Sequence, residues 1–391
     1  DATNLLEPGI YRRKMTQQIN NGLTTEEIDS SYYFTYPEDV WNYFGKDASY
    51  GTGAPLTDYT VHSNVLLAAI DPEQENKLLG LENAIIQKGS SRYFNKTDQY
   101  QLVDRQGNKL HEIPIIVNAQ NFVDASTQIS FERVNIPFSK ENANETMEEI
   151  KAKGGTEYLK SLETTLIEQK DWSQEEIFQK FVSNTTGIDW KTGEQINATA
   201  QSFDPSHIIG ITYKPNPIQF AEMTSPFSER WPFSYQIVPV ENGEDAIGRY
   251  RNEQTYRVPH LVTEDFLDLP RLNPKFIGFY DASKLKLSMD PTTELPMETY
   301  RPASAKFVMD SEGNPISPAV DVKPTDDPLD FLTNPPGMLT TLEATEKILG
   351  DKPISTIRIK VAGVSALNED SQQILERVAK EIEEKTGLIT D

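Results

Sequence analysis

The clearest periodicity in the chain lies near its C-terminal end, in ISTIRIKVAGVSALNEDSQQILERVAKEIEEKTGLITD (Ile354–Asp391). Ile357, Ile359 and Val361 alternate with Arg358 and Lys360, the period of a strand with one wet face. Gly363 interrupts that alternation, and Asn368 is a natural N-cap with Glu369 and Asp370 in the favourable first turn. Ile374, Leu375, Val378, Ala379 and Ile382 then fall on one helical stripe. Glu376–Lys380 and Glu381–Lys385 form i,i+4 pairs on the opposite side, and Gly387 is the expected residue just past the end. Leu388 and Ile389 begin another extended segment, so the end reads β-α-β. A lone βα unit cannot cover both of its faces, and the first 58 residues are its expected packing partner.

Elsewhere the pattern is more broken. Val65–Ile70 predicts a strand, and Asp71-Pro72 opens a short helix after it. Gln101–Asn118 and Phe307–Ile316 each predict a hairpin, turning at Asp104–Asn108 and Asp310–Asn314. Pro37–Phe44 carries helix signals, with Pro at the first position and acids behind it, whereas Tyr50–Tyr59 reads as a loop. From Ser139 to Phe181 the chain is charged and helix-forming, interrupted at Gly154-Gly155, with a capping-box pattern opening Ser173–Phe181. Phe203–Arg301 is dense in Pro and aromatic residues, which suits short strands and Pro-rich turns, with the aromatic group around Trp231–Tyr235 expected in the core. Asp327–Leu339 reads as a linker before a short helix in Thr340–Leu349, ended by Gly350.

Composition narrows the function classes. A chain of 391 residues has room for two or three domains. With 37 basic and 60 acidic residues the formal charge is 37 − 60 = −23, a field that repels nucleic acid and anionic lipid. Cysteine is absent, which excludes disulfides, thiolate zinc sites and a thiol nucleophile, and fits an extracytoplasmic bacterial protein. The longest apolar runs, such as Val65–Ile70 and His111–Val117, fall far short of the ~18 residues of a membrane span. The sequence opens on DATNLLEPG without an initiator Met, which leads to the expectation of a processed or excised segment.

Candidate chemistry is sparse. His62, His111, His207 and His260 are scattered without ligand spacing, and no HExxH occurs. The turns DRQGN and DSEGN lack the alternating Asx positions and distal Glu of a calcium loop, so they are read as hairpin turns. With 60 acids, adjacent carboxylate pairs are guaranteed by composition and point to no glycosidase. GxSxG, P-loop and GxGxxG patterns are missing. The sequons at Asn95, Asn144, Asn184 and Asn197 are read as chance matches in a polar chain. The expectation is therefore no catalytic residue, no cofactor, no metal ligand and no enzyme.

Several blocks nevertheless resemble one family. Asn334–Ala344 (NPPGMLTTLEA), Pro353–Val364 and Glu384–Leu388 are similar to the segment before the second membrane helix of MacB/FtsX-type ABC transporter permeases. Leu66–Phe94, Phe276–Leu287 and Leu295–Pro302 resemble further blocks, in the family's order along a minority of the chain. The resemblance implies an α+β fold, with a split porter-like α/β subdomain formed by both chain ends and an inserted β-rich sabre-like subdomain. The boundaries then expected are 1–58 and 335–391 for the porter-like halves, 59–138 and 232–334 for the sabre-like part, and 139–231 for a helical or irregular insertion. It implies a non-catalytic domain on the extracellular face of a bacterial, Gram-positive membrane, with both ends close together. That domain would couple ATP-driven motion of membrane helices to an extracellular substrate or partner. Its partners would be the membrane helices of the same chain, a cytoplasmic ATPase subunit and a second permease protomer. A secreted or lipid-anchored binding protein, solute-binding or adhesin-like, is the alternative, and an extracellular hydrolase a third class.

Overall fold

The computed structural model describes residues 8–19, 24–35, 40–44, 49–52, 65–105, 107–120, 125–139, 141–196, 209–211, 213–215, 218, 220–224, 234–240, 256–263, 268–285, 300, 305–310, 312, 314–322, 324, 329–350, 353–364, 368–388 and 390. The chain opens with strands β1 (Gly9–Ile19), β2 (Thr24–Thr35), β3 (Val40–Phe44) and β4 (Ser49–Thr52). Strand β5 (Leu67–Ile70), helix α1 (Pro72–Leu79) and the hairpin of β6 (Gln101–Arg105) and β7 (Asn108–Asn118) follow. Next come β8 (Ala125–Val134), α2 (Ala143–Ala152), α3 (Thr156–Ser161), β9 (Thr164–Trp172) and α4 (Gln174–Thr186). Five short strands, β10 (Ile209–Gly210), β11 (Tyr213–Pro215), β12 (Phe220–Met223), β13 (Ser234–Ile237) and β14 (Pro259–Leu261), precede the long β15 (Arg271–Tyr280). The last elements are β16 (Ala305–Met309), β17 (Pro315–Val322), β18 (Met338–Thr341), α5 (Leu342–Leu349) and α6 (Glu369–Thr386). The class is α+β.

Two six-stranded sheets carry the fold. One is antiparallel, in the order β4-β3-β2-β1-β8-β9. Helices α2 and α3 supply Met147, Ile150 and Leu159 to cover Ile10, Tyr32 and Val134 of that sheet. Tyr11, Tyr33 and Phe131 form a separate cluster on it, with Tyr11 and Phe131 stacked at 5.2 Å. The other sheet is mixed, in the order β10-β15-β7-β18-β5, with β6 hydrogen-bonded to β7. Here β15 runs parallel to β7 and β18 parallel to β5, while β18 and β7 are antiparallel.

β7 explains why the mixed sheet is the body of the molecule. Ile113, Ile115 and Val117 enter one apolar cluster with Phe279, Met338 and Ala344, and Ile116 enters another with Ile70, Leu79, Ile277 and Leu339. Both faces are covered, which is the setting in which a strand reads as a continuous apolar run. Helix α4 seals one face through Phe178, whose ring meets Trp190 at 5.2 Å, and Trp190 meets Phe279 at 4.9 Å.

Helix ends follow the sequence signals. Asp71 accepts from the backbone N–H groups of Glu73 and Gln74, and α1 stops at Gly80 in the left-handed region. Ser173 and Glu176 complete the capping box of α4. Asn368 caps α6 through the Ser371 N–H, and Gly387 ends it at φ 70°.

Six expectations need correction. Val40–Phe44 is strand β3, because its β-branched and aromatic residues pair with β2 and β4, and that pairing overrides the capping signal of Pro37–Asp39. Ser49–Thr52 is strand rather than loop, and residues 53–59 lie outside the described residues. The helix-forming stretch contains β9, whose β-branched opening Thr164-Thr165 starts a strand that pairs antiparallel with β8 as far as Trp172. The expected linker is packed: Leu329, Leu332, Met338 and Leu339 are buried, and Met338–Thr341 is β18. Residues 353–361, expected as a strand, form no strand among the described residues. The C-terminal part also packs elsewhere than expected, since β18 pairs with β5 and β7 whereas β1 pairs with β2 and β8. Residues 1–7 and 391 lie outside the described residues, and with them the expected closeness of the ends.

Candidate functional site

The most constrained polar cluster lies where the C-terminal segment meets α1. α1 is short and acidic, yet one face is buried, and Glu75 shares that face with Leu79 one turn later. Glu75 is therefore a carboxylate at only 8% exposure, an arrangement that is costly without partners. It has two. The hydroxyl of the fully buried Tyr300 donates to its Oε1 at 2.5 Å, and the guanidinium of Arg358 bonds to the same oxygen. The Arg358 guanidinium carbon also lies 5.5 Å from the centre of the Tyr300 ring, within cation–π range.

Aromatic side chains wall the cluster. The Tyr93 hydroxyl donates to the carbonyl of Pro72 at 2.8 Å, fixing the first turn of α1. The Tyr280 ring stands edge-on to Tyr300 at 6.4 Å, and its buried hydroxyl has no hydrogen-bond partner among the described residues. Burial, with the Glu75 carboxylate adding to it, pushes the Tyr300 and Tyr93 hydroxyls well above the ordinary phenol range. Burial alone does the same to Tyr280. The Tyr93 and Tyr300 phenols therefore stay protonated and act as donors. What the cluster can do is hold: it joins residue 358 to a helix 283 positions earlier.

A second polar cluster sits in a shallow depression of about 260 Å³ on the antiparallel sheet, lined by Lys14, Thr16, Gln128, Ser130, Glu132 and Thr164 among others. Glu132 accepts from Arg12 Nε at 3.0 Å, from Thr164 Oγ1 at 2.7 Å and, on its other oxygen, from Ser130 Oγ at 2.9 Å. Burial would raise this carboxyl, but the bonds from Thr164, Arg12 and Ser130 outweigh it and hold it below the usual range. Arg12, Glu132 and Thr164 bond to one another, stitching β1, β8 and β9 together.

Among the described residues, those weighed from sequence are not brought together. His111, on β7, is half-buried and 3.0 Å from the Tyr100 hydroxyl, and burial lowers its pKa. His260 is exposed on β14, and His62 and His207 lie outside the described residues. Asp104 accepts from the Gly107 N–H, and Asp310 from the N–H groups of Glu312 and Asn314, so both turn carboxylates serve their own backbone. Asn95, Asn144 and Asn184 are exposed, and Asn197 is outside the described residues, as is Trp231. Among the described residues no group of three or more His, Asp or Glu side chains is placed to hold a metal ion, and no helix is long and apolar enough to cross a membrane.

Sequence reasoning had Asp71-Pro72 opening α1 and Arg358 on a wet strand face, and missed that Glu75 of that helix meets Arg358. The available signal was local: Glu75 lies four residues before Leu79, on the stripe that α1 buries. No family model matches the chain, and no curated protein or solved structure matches it significantly.

Proposed function

We propose that this chain is the extracytoplasmic domain of a MacB/FtsX-type ABC transporter permease, without catalytic activity of its own. In this role it passes the ATP-driven motion of membrane helices in the same chain to an extracellular substrate or partner. A cytoplasmic ATPase subunit would drive it and a second permease protomer would complete it, on the outer face of a bacterial membrane of Gram-positive type. The split porter-like and inserted sabre-like arrangement belongs to the same proposal.

One observation carries the reading beyond the resemblance of the sequence blocks. The segment that resembles the approach to the second membrane helix is tied to the body through Arg358, Glu75 and Tyr300, while much of its apolar surface stays uncovered. Such a joint suits a domain that transmits force rather than one that turns over substrate.

The test is the full-length gene product. Apolar spans encoded on both sides of this segment, and an ATP-hydrolysing subunit that co-purifies with the detergent-extracted protein, are the expected result. A coding region with a signal peptide before the segment and a stop codon after it would sink the proposal in favour of a secreted or lipid-anchored binding protein.

A further inference from the structure

Residues 353–361 alternate like a strand but form no ladder among the described residues. Their orientation is also inverted relative to a strand laid on a core. The cation Arg358 points inward, its side chain only 16% exposed against Glu75. Ile354, Ile357 and Ile359 point outward, at 53%, 61% and 58% exposure. A segment lifted from this position therefore gives up little apolar burial, and the grip it gives up includes that of Arg358 on Glu75 and Tyr300. Two glycines bracket it, Gly350 at φ 85° and Gly363 at φ 84°. A Cβ at Gly350 would meet nothing within 4 Å, and one at Gly363 would meet Ile374 Cδ1 at 3.7 Å, so neither glycine is there to admit a close neighbour, and their positive φ values are what marks them as pivots.

We propose that residues 353–361 form a strap that releases from α1 and reseats on it as a unit, with Arg358 as the latch and Gly350 and Gly363 as the pivots. The strap rests on the permease reading for its purpose: it is the element that would carry displacement of the C-terminal unit to α1 and the mixed sheet. Its existence does not depend on that reading. Release leaves Glu75 bonded to the Tyr300 hydroxyl, so the body keeps its fold while the strap moves.

The absence of cysteine makes the test clean, because two introduced thiols are the only ones present. Nitroxide labels at Ser355→Cys and Asn83→Cys, both exposed positions, report the strap-to-body distance by pulsed electron resonance. The parent should give one dominant short distance, and adding Arg358→Gln should bring in a second, longer population. Hydrogen exchange of amides 353–364 should accelerate by about tenfold or more in Arg358→Gln, with β7 and β15 unchanged. Tyr300→Phe, which keeps the ring under the guanidinium but loses the phenol bond, should fall between the two.

Unchanged distance and exchange in Arg358→Gln would overturn the latch. Faster exchange spread through β7 and β15 would also overturn it, by making Arg358 a support of the core. A strap that releases in a protein whose gene encodes no flanking membrane helices would sink the permease reading and leave the latch standing.

Discussion

Two isoleucine-rich stretches of this chain have opposite fates. Ile113, Ile115, Ile116 and Val117 on β7 are at most 1% exposed, between β15 on one side and β18 on the other, with an apolar cluster on each face. Ile354, Ile357 and Ile359 are all more than half exposed, in a segment with a more regular strand alternation than β7 has. The difference is the company each stretch keeps. β7 has ladder partners on both edges and cover on both faces, whereas the strap has a polar attachment on one face and isoleucines more than half exposed on the other. Periodicity states which conformation a segment tolerates, and neighbours decide whether it becomes a strand.

The sharpest way to break that comparison is to remove side-chain volume from the buried stretch. Ile115→Ala takes a fully buried side chain out of a cluster closed by Phe279, Met338 and Ala344. It should cost about 2–5 kcal/mol, read as a lower urea midpoint at unchanged slope. A loss below about 1 kcal/mol would mean that the mixed sheet is not the body of the fold.

Close backbone approach gives the next effect. At Gly278 in β15, a Cβ would stand 2.5 Å from the Arg92 carbonyl oxygen and 2.9 Å from its amide nitrogen. The register with β7 also shifts there, between Phe276 and Gly278. Backbone cannot rotate away as a side chain can, so Gly278→Ala should cost about 1–3 kcal/mol in the same assay.

The body has its own ion pair to set beside the strap's latch. Asp98, its side chain 2% exposed, accepts from both terminal guanidinium nitrogens of Arg92 and from the N–H of Asn95. Burial would raise this carboxyl, but Arg92 and Asn95 outweigh it and leave it below its ordinary value. A carboxyl held low in the folded state contributes stability that is present above its unfolded value, about pH 4, and is lost as pH falls through the folded one. Asp98→Asn should lower stability at pH 7 and flatten its decline below pH 4. An equal decline in variant and parent would show that Asp98 is not held low.

Much of the body could be read locally. The turn Asp104–Asn108 marked the β6–β7 hairpin, Asp71-Pro72 opened α1, the Ser173 box opened α4, and Asn368 with Gly387 bounded α6. Each of these signals lies within a few residues of what it determines. The misreadings share the opposite property. Pro37 and its following acids imitate a helix start, and only the pairing of Val40–Phe44 with β2 and β4 settles it as strand. The same holds for β9, whose partner β8 lies 30 or more positions earlier. The candidate site is the extreme case, since Glu75 and Arg358 are 283 positions apart and Tyr300 is contributed by a third segment. Neither residue stands out by type or spacing, and only the buried stripe of α1 hinted that Glu75 needed a partner.

The smallest expected effect is the most direct test of the contrast, because it repeats the largest with the residue types unchanged. Ile357→Ala removes the same atoms as Ile115→Ala, from a position 61% exposed rather than fully buried. Surface substitutions away from caps, cores and ion pairs usually change stability by within about 0.5 kcal/mol, and this one should do the same. Its neighbour Arg358 supplies the internal control, because the two side chains leave the strap on opposite sides. If position 357 is passive, Ile357→Ala should leave the strap's amide exchange where it was, while Arg358→Gln accelerates it. A loss above about 1 kcal/mol at Ile357 would show that its side chain is covered in solution. The strap would then be a strand with a partner after all, and the two isoleucine stretches would differ in degree rather than in kind.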